Sequence, residues 1–342
     1  MTQILKDVLN GTQPTFEDAH ELFTSIASGE INEIQTAALL ATMRTRGESV
    51  NEIAGAAAAF LDAAVPLQTS IASFDSAGTG GDQAGTINIS TGAALLAASQ
   101  GIPMAKHGNR SVSSKTGSAD VLEKQGIRLD MSPAEASKQL EEKNFVFLFS
   151  PFYHPAVKRV MPVRKALGVP TLFNTLGPLL NPAPLQGQLI GVANIEHAPA
   201  VAEVLNKLGR PRALVVNGLG LDEIAIHGES NVWEVRDGEV FHYTVTPAEL
   251  GIDTFELDDI RGGEAAENAK VLMEALAGEG AAAHRAAIAV NAGALAYLAG
   301  RVDTLREGTE FALAALASGT VPDYVQSLVE TEANTAQAGV IR

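Results

Sequence analysis

Residues 70–105 read SIASFDSAGTGGDQAGTINISTGAALLAASQGIPMA, and this stretch decides the fold. Its first part, residues 70–77, reads as a strand, residues 90–99 as a helix, and residues 102–105 as a second strand. A strand, a helix and a strand in this order are typical of a βαβ unit, in which the two strands are parallel. The sequence therefore predicts an α/β fold with a mainly parallel central sheet.

The same alternation continues beyond this unit. Further strands are predicted at residues 145–149, 188–192 and 213–217, with helices between them. The pair Asp237-Gly238 lies between two strand-like segments, which is typical of a hairpin, here expected as a small antiparallel appendage. From about residue 265 the pattern returns to helices, so we expect a helical C-terminal part.

The N-terminal 68 residues have a helical pattern throughout. Asn32 followed three residues later by Gln35 is a capping box, and the helices are short, Ala-rich and amphipathic. We expect a small all-helical domain of residues 1–68. The segment LFNTLGPLLNP carries Gly and Pro among apolar residues and is expected to cross between domains, so that residues 165–184 join the helical domain. The remaining residues, 69–164 and 185–342, form the larger α/β domain.

Composition and charge narrow the choice of ligand. The chain carries 24 Lys and Arg against 40 Asp and Glu, a formal net charge of −16, so DNA or an anionic lipid surface is repelled on average. There is no Cys, which excludes disulfides, a thiolate nucleophile and Cys-ligated metals. Neither a secretory leader nor an apolar run of membrane-spanning length is visible. We expect a soluble, cytoplasmic protein that binds neither nucleic acid nor membranes.

A glycine-rich loop, SAGTGGDQAGTINIST at residues 76–91, is the first candidate site. Its glycines permit close approach of the backbone to a ligand, and it leads to a helix, capped by Ser90 or Thr91, whose free N–H groups attract phosphate. Gln83 stands where a dinucleotide fingerprint needs Gly, and no Lys-Ser or Lys-Thr follows the last Gly, so neither NAD nor a Walker-type nucleotide site is supported. A plain glycine turn remains the alternative.

The second candidate is KHGNRSVSSKTGSADVLE, residues 106–123, a basic segment of small residues that follows the next strand. In a parallel sheet both loops reach the same carboxyl edge, where open α/β folds bind ligands. Lys106 supplies charge for an anion, and backbone N–H groups near Gly108 and several Ser hydroxyls supply hydrogen bonds. A solvated surface loop is the alternative.

Two further segments carry charged or polar groups. Asp222 and Glu223 follow a predicted strand, and adjacent carboxylates of this kind suit Mg²⁺ together with substrate phosphates, although surface charge is the common alternative. His154 precedes a Pro at a helix start, and Arg164 follows Pro162 where a helix again begins. An Arg fork fits a planar carboxylate, whereas helix capping, a core hydrogen bond or a surface salt bridge are the structural alternatives.

Together these motifs resemble the anthranilate phosphoribosyltransferase family. The resemblance covers nearly the whole chain, and its most specific part is KHGNR followed by SSKTGSADVLE; the other motifs are GEINEIQTAALLATMRTRGES, GTGGD, NIST, MPVRKALG, FNTLGPLLNP, the Asp-Glu pair and GGEAAENAKVL. The fold that it implies is a small helical domain joined by hinges to a larger α/β domain, in a homodimer formed through the helical domain.

The resemblance also implies the roles of particular residues. The implied phosphoribosyl pyrophosphate site consists of Gly78, Gly81, Asp82, Thr86, Asn88, Ile89, Ser90, Thr91, Lys106, His107, Gly108, Asn109, Arg110, Ser111, Val112, Ser113, Ser114 and Ser118. The implied anthranilate site consists of Gly78, His107, Asn109, His154, Arg164, Gly177 and Pro178. Mg²⁺, as two ions bound with the substrate pyrophosphate, is expected at Ser90, Asp222 and Glu223. No side chain is assigned as a certain catalytic group; Lys106, His107 and Arg164 are expected to act by charge and position.

The implied reaction transfers the phosphoribosyl group of 5-phosphoribosyl 1-pyrophosphate to the amine of anthranilate. Its products are N-(5-phosphoribosyl)anthranilate and pyrophosphate, in the second step of tryptophan biosynthesis from chorismate. Alternatives on the same scaffold are a pyrimidine nucleoside phosphorylase, a phosphoribosyltransferase for another aromatic amine, and a non-catalytic relative that binds nucleic acid. The net charge of −16 counts against the last.

Overall fold

The structure, a computed structural model, describes residues 3–110 and 116–329. Its α-helices are α1 (Gln3–Leu9), α2 (Phe16–Ser28), α3 (Glu33–Arg46), α4 (Val50–Asp62), α5 (Ile89–Ser99), α6 (Ser118–Lys124), α7 (Pro133–Lys143), α8 (Ser150–Tyr153), α9 (Val157–Leu167), α10 (Phe173–Leu176), α11 (Ala198–Lys207), α12 (Pro247–Leu250), α13 (Ala265–Leu276), α14 (Ala282–Leu298), α15 (Leu305–Ala317) and α16 (Val321–Leu328). Its strands are β1 (Ser73–Gly78), β2 (Met104–Gly108), β3 (Phe145–Phe149), β4 (Leu185–Gly191), β5 (Arg212–Asn217), β6 (Ser230–Arg236) and β7 (Glu239–Val245).

One sheet of seven strands, in the order β3-β2-β1-β4-β5-β6-β7, forms the centre of the molecule. Strands β1 to β5 are parallel, whereas β6 and β7 are antiparallel to their neighbours. The predicted α/β fold, with a helical start, a mainly parallel sheet and a helical C-terminal part, is confirmed. The hairpin at Asp237-Gly238 is also present. It is antiparallel as expected, and it extends one edge of the main sheet because β6 pairs with β5 from Asn231 to Arg236.

The order of the strands defines where a ligand site is expected. From β1 the chain proceeds outward through β2 to β3, and it then returns to the other side of β1 as β4. The loops after β1 and β4 therefore diverge to opposite faces, which leaves a crevice at the carboxyl edge between these two strands. The glycine loop follows β1 and begins at this crevice.

Two predicted boundaries were wrong in ways that affect the site. Strand β2 extends to Gly108 instead of ending at residue 105, because it pairs in register with β3 as far as Gly108 and Phe149. A Lys and a His in a strand resemble a loop by composition, but pairing with β3 keeps the backbone extended. Helix α5 begins at Ile89, and its cap is Asn88 instead of Ser90 or Thr91.

The helical start packs against both the hinge segment and the sheet. Thr15 and Asn32 cap α2 and α3, and Asn32 forms the predicted capping box with Gln35. Phe173 of α10 makes edge-to-face contacts with Phe23 and Phe60 of the N-terminal helices. The same apolar cluster continues to one face of β4 and β5, while α5, α13 and α14 cover the other face. Within residues 3–110 and 116–329 no helix is long and apolar enough to cross a membrane.

Candidate active site

The glycine loop is fixed by contacts across the crevice between β1 and β4. The Thr79 N–H donates to the Gly191 carbonyl at 2.9 Å, and the Gly80 N–H donates to Asp222 Oδ2 at 2.7 Å. A Cβ at Gly78 would overlap the Asp222 carboxylate, and one at Gly191 would overlap the Asp222 backbone. These glycines are therefore required for close approach, and the loop is more than a plain turn.

A cavity of about 360 Å³ opens above this loop. Segments after β1, β2 and β5 line it, and most of the predicted phosphate-binding and metal-binding residues are among them: Gly78, Gly81, Asp82, Thr86, Asn88, Ile89, Ser90, Lys106, His107, Gly108, Asn109, Arg110, Ser118, Asp222 and Glu223. Thr91 is fully buried in α5 and does not line the cavity. The predicted residues Ser111, Val112, Ser113 and Ser114 lie outside the described residues.

Lys106 lies in the floor of this cavity rather than in a solvated loop. Its side chain is buried, and its Nζ donates to the Ser76 carbonyl and, at 3.2 Å, to Ser90 Oγ. Burial lowers the pKa of the Lys106 ammonium, while the charges of Asp75 and Glu223 oppose that effect. A cation held in this way supplies positive charge to an anionic ligand in a poorly hydrated site.

Asp75, which the sequence analysis missed, supports this floor from below. It is fully buried in β1; its Oδ1 accepts from the His107 N–H at 3.3 Å, and its Oδ2 accepts from Gln188 Nε2 at 3.2 Å. Burial raises the pKa of its carboxyl, and the Lys106 charge partly offsets that rise. The signal in the sequence was an acidic residue inside an otherwise buried strand, which calls for a charged partner.

Asp222 and Glu223 converge on the same cavity from the loop after β5. Glu223 Oε1 accepts from the Ser90 N–H at 3.0 Å, at the first turn of α5. Burial, and then the nearby Asp82, raise the pKa of Asp222 to about 7. The pKa of Glu223 is raised well above its usual value by burial and then by Asp222. Buried carboxyl groups that repel one another are well suited to a divalent cation.

The described residues offer only part of a metal coordination shell. Within the described ranges no group of three or more His, Cys, Asp or Glu side chains could hold a metal ion. Ser90, Asp222 and Glu223 therefore fit a hard cation that takes its remaining oxygen ligands from a bound phosphate or from water, as Mg²⁺ commonly does.

Arg110 lines the cavity rim but is already paired. Its guanidinium donates to both carboxylate oxygens of Glu123 at 2.9 Å and to Asp120 Oδ1 at 3.1 Å. These hydrogen bonds, those to Glu123 above all, raise the pKa of Arg110. The arrangement ties the end of β2 to α6.

A second group of predicted residues lies beside the cavity. The rings of His107 and His154 meet edge to face, with centroids 5.1 Å apart. Burial lowers the pKa of His107 to about 3 and that of His154 to about 4, so both imidazoles are neutral near pH 7. His107 Nε2 and both ring nitrogens of His154 are buried without a hydrogen bond in the described structure. The backbone of Leu180 interacts with the His154 ring and partly opposes the effect of burial on its pKa.

Arg164 is also left without an ionic partner among the described residues. Its guanidinium lies over the Phe173 ring at 5.6 Å, with only the Met161 sulfur as a weak acceptor at 3.7 Å. Burial lowers the pKa of this guanidinium. Pro162 lies inside α9, so the prediction that a helix begins there was wrong: α9 runs unbroken from Val157.

Only some of the residues predicted to contact anthranilate line the cavity. Of the seven residues predicted to contact anthranilate, Gly78, His107 and Asn109 line the cavity, whereas His154, Arg164, Gly177 and Pro178 do not. Pro178 is tied to the floor, because its carbonyl accepts from Gln188 Nε2 at 2.6 Å.

Nine cavity residues were given no individual role from the sequence: seven lie within the two candidate segments at residues 76–91 and 106–123, and two lie outside them. They are Ala77, Thr79, Gly80, Gly85, Ile87, Thr116, Gly117, Gly263 and Asn268. The last two belong to the GGEAAENAKVL motif, which the sequence analysis used for the resemblance without giving it a role.

Comparison with known proteins places this arrangement in a family. The chain matches the model of the glycosyl transferase family a/b domain over residues 71–321 and that of its helical bundle domain over residues 2–64. It is 52% identical over 331 residues to an anthranilate phosphoribosyltransferase of Corynebacterium efficiens, covering 96% of this chain and 97% of that one. It is 53% identical over 325 residues to one of Corynebacterium glutamicum, covering 94% and 93%.

The chain belongs to the anthranilate phosphoribosyltransferase family.

Solved structures of this family agree with the fold. The crystal structure of the anthranilate phosphoribosyltransferase from Thermus thermophilus superposes with a TM-score of 0.91 at 41% identity, covering 96% of this chain and 98% of that one. The anthranilate phosphoribosyltransferase from Saccharomyces cerevisiae in complex with PRPP and Mg superposes with a TM-score of 0.86 at 27% identity, covering 95% of each chain.

Proposed function

We propose that the protein transfers the phosphoribosyl group of phosphoribosyl pyrophosphate to the amine of anthranilate, in the second step of tryptophan biosynthesis from chorismate. The observation that carries this proposal is the pairing of two different environments at one sheet edge. One is a cavity with a buried ammonium, buried acids and loop N–H groups; the other is the neutral pair His107 and His154 beside it, followed along the chain by Arg164, which has no ionic partner among the described residues. The first suits a metal-bound pyrophosphate, and the second suits an aromatic carboxylate.

Catalysis on this scaffold is a matter of charge and position. Displacement at the ribose C1 builds positive charge on the sugar and negative charge on the departing pyrophosphate. Lys106 is fixed by Ser76 and Ser90, so it stabilises the leaving group without first rearranging. The anthranilate amine is the nucleophile and is largely unprotonated near neutral pH, so it needs only to be held in line with C1.

Mg²⁺ is proposed as the cofactor, as two ions bound together with the pyrophosphate. The Saccharomyces cerevisiae relative is described in complex with PRPP and Mg, and the donor set of Ser90, Asp222 and Glu223 fits such a cation here. When bound, the metal supplies positive charge to the phosphate oxygens and so favours departure of pyrophosphate. The protein side chains orient those oxygens toward Lys106.

The remaining roles assigned from the resemblance are part of the same proposal. His154 and Arg164, with Gly177 and Pro178 beside them, would receive anthranilate, and Asn109 would lie where its amine meets the ribose. An anthranilate analogue, 4-fluoroanthranilate, is described in complex with a Saccharomyces cerevisiae relative. The guanidinium of Arg164, which has no ionic partner within residues 3–110 and 116–329, supports a carboxylate partner, because Arg offers two parallel N–H donors.

We also propose the domain division and assembly given by the resemblance. Leu172, Phe173 and Leu176 share an apolar cluster with α2 and α4, which supports grouping residues 165–184 with residues 1–68 and leaving 69–164 and 185–342 as the α/β domain. A homodimer through the helical domain would cover Ile34 of α3, whose side chain is 83% exposed. A cytoplasmic location fits a biosynthetic enzyme of this family.

The reaction is tested by incubating the protein with phosphoribosyl pyrophosphate, Mg²⁺ and anthranilate and following anthranilate fluorescence. We expect a loss of fluorescence that requires both Mg²⁺ and phosphoribosyl pyrophosphate, together with stoichiometric release of pyrophosphate. Parallel reactions with thymidine or uridine and inorganic phosphate test phosphorolysis. Turnover of a nucleoside without turnover of anthranilate would replace the proposal by the phosphorylase alternative.

A further inference from the structure

The GGEAAEN segment, residues 262–268, forms a wall of the cavity that none of the assigned roles explains. Asn268 lies in the second turn of α13, is only 2% exposed, and lines the cavity together with Gly263. A buried amide at the edge of a ligand cavity needs partners for its donors and its acceptor.

Asn268 joins two other segments of the site. Its Oδ1 accepts from the Gly263 N–H at 2.6 Å, and its Nδ2 donates to Asn88 Oδ1 at 2.9 Å. Asn88 Nδ2 in turn donates to the Thr116 carbonyl at 3.3 Å, and Thr116 Oγ1 donates to the Gly263 carbonyl at 3.0 Å. Four residues therefore form a closed ring across three segments: residues 85–88, 116–118 and 262–268.

The direction of these hydrogen bonds is determined at both ends. A backbone N–H can only donate, so Gly263 requires the oxygen of Asn268 to face it, and the amide nitrogen must then face Asn88. A backbone carbonyl can only accept, so Thr116 requires the amide nitrogen of Asn88 to face it. Reversing either amide would place two donors or two acceptors against each other. The ring therefore sets the orientation of the Asn88 side chain.

The backbone around the ring leaves little room for adjustment. The Ile87 N–H donates to the Ile260 carbonyl at 3.0 Å, and the Gly262 N–H donates to the Gly85 carbonyl at 2.8 Å. A Cβ at Gly262 would lie 2.6 Å from both Asn268 Oδ1 and the Thr86 carbonyl oxygen. The segment before α13 thus lies directly along the loop that leads into α5.

We propose that Asn268 is a positioning residue for phosphoribosyl pyrophosphate, which acts by holding Asn88 and the Thr116 segment in register with each other. This inference rests on the proposed function, because it assigns the two segments to the same phosphorylated substrate. Asn268 acts through Asn88 and Thr116, and it is remote from His154 and Arg164 in its contacts. Loss of the Asn268 amide should therefore raise the KM for phosphoribosyl pyrophosphate and leave the KM for anthranilate nearly unchanged.

The test is Asn268→Asp, which preserves volume but replaces the donor by an acceptor. The carboxylate can still accept from Gly263, but its second oxygen then faces Asn88 Oδ1. We expect the KM for phosphoribosyl pyrophosphate to rise by about 10- to 100-fold, as for a disrupted buried hydrogen bond, with the KM for anthranilate changed by less than about threefold. Asn206→Asp is the matched control, because the Asn206 amide is exposed and donates to the Gly238 carbonyl, away from the site.

A second variant covers the case in which Asn268→Asp does not fold. Thr116→Val removes only the hydroxyl that donates to Gly263, and we expect the KM for phosphoribosyl pyrophosphate to rise by about two- to tenfold. Unchanged KM values in a folded variant would overturn the inference, and so would equal increases for both substrates. Absence of wild-type turnover would instead contradict the proposed function, so the two failures are distinguishable.

Discussion

The candidate active site has two sides, which differ in how far their polar groups are hydrogen-bonded or paired within the protein. The phosphate side consists of Lys106, Asp222 and Glu223, and the acceptor side of His154 and Arg164. On the phosphate side, the functional charges already contact the protein: Lys106 donates to Ser76 and Ser90, Asp222 accepts from Gly80, and Glu223 accepts from Ser90. On the acceptor side, the buried His154 ring has no charged partner and Arg164 has no carboxylate partner in the described structure. The first side is thus organised by contacts within the protein, and we expect a bound ligand to complete the second.

This difference has an energetic consequence. A buried polar group without a partner costs about 1–3 kcal/mol, so the acceptor side is maintained at the expense of stability. The backbone of Leu180 favours the charged form of His154 slightly, but burial dominates and the ring stays neutral. Removing a group on the phosphate side should therefore damage both structure and catalysis, while removing one on the acceptor side should damage catalysis alone.

The largest expected effect follows from Lys106→Met, which keeps an unbranched side chain only one atom shorter and removes its charge. Asp75 and Glu223 lose their buried counter-charge, and the leaving group loses a fixed cation. We expect kcat to fall by about 10²- to 10³-fold, with a higher KM for phosphoribosyl pyrophosphate and a lower melting temperature. Steady-state kinetics and thermal unfolding measure these changes.

Lys270→Met is the matched control, because Lys270 is exposed and reaches only Glu274 on its own helix. If Lys106→Met had wild-type kinetics, the buried ammonium would be a structural counter-charge alone, and the phosphate side would lose its main electrostatic group.

Arg164→Ala is expected to have a smaller and more selective effect. Loss of a charge-assisted pair with a carboxylate should raise the KM for anthranilate by about 10- to 100-fold and leave the KM for phosphoribosyl pyrophosphate within about threefold. Arg306→Ala, which removes an exposed Arg paired with Glu310, is the control. Equal increases in both KM values would contradict the division between the two sides.

His154→Phe tests the acceptor side through stability and pH. The folded protein keeps His154 neutral down to a pKa of about 4, while the unfolded chain binds a proton below about pH 6.5. The unfolded state therefore binds more protons in this window, and the free energy of unfolding decreases as pH falls from about 6.5 to about 4. When the pH is lowered from 7 to 5, we expect the free energy of unfolding of the variant to decrease by about 2 kcal/mol less than that of the wild type.

Urea unfolding at both pH values measures that difference. His197→Gln, at an exposed position, is the control. A variant that loses as much stability on acidification as the wild type would show that His154 is not held neutral by burial.

Sequence patterns predicted the parts of the site that depend on local order along the chain. The glycine loop, the basic segment and the Asp222-Glu223 pair each follow a strand, and parallel strands bring such segments to one edge. Asp75 was missed because its role comes from Lys106 and His107 on the neighbouring strand. Asn268 was missed because its partners, Asn88 and Thr116, are far from it in sequence. Hydrogen bonds between distant segments leave no periodicity to detect.

The end of β2 also depends on a contact with a distant segment and was therefore not predicted from the sequence. Composition suggested a loop at Lys106, whereas pairing with β3 keeps the backbone extended as far as Gly108. The hairpin at Asp237-Gly238 was recognisable from its turn, but its place in the main sheet depends on β5. The sequence thus predicted the turn from its local residues, but it did not predict the strand with which the hairpin pairs.

A crystal structure with phosphoribosyl pyrophosphate, Mg²⁺ and a non-reactive anthranilate analogue tests the division of the site most directly. We expect the pyrophosphate above Lys106, with Mg²⁺ at Asp222 and Glu223. We expect the carboxylate of the analogue on the Arg164 guanidinium and its ring near His154. A carboxylate bound away from Arg164, or an aromatic ring seated among the phosphate-binding loops, would contradict that division.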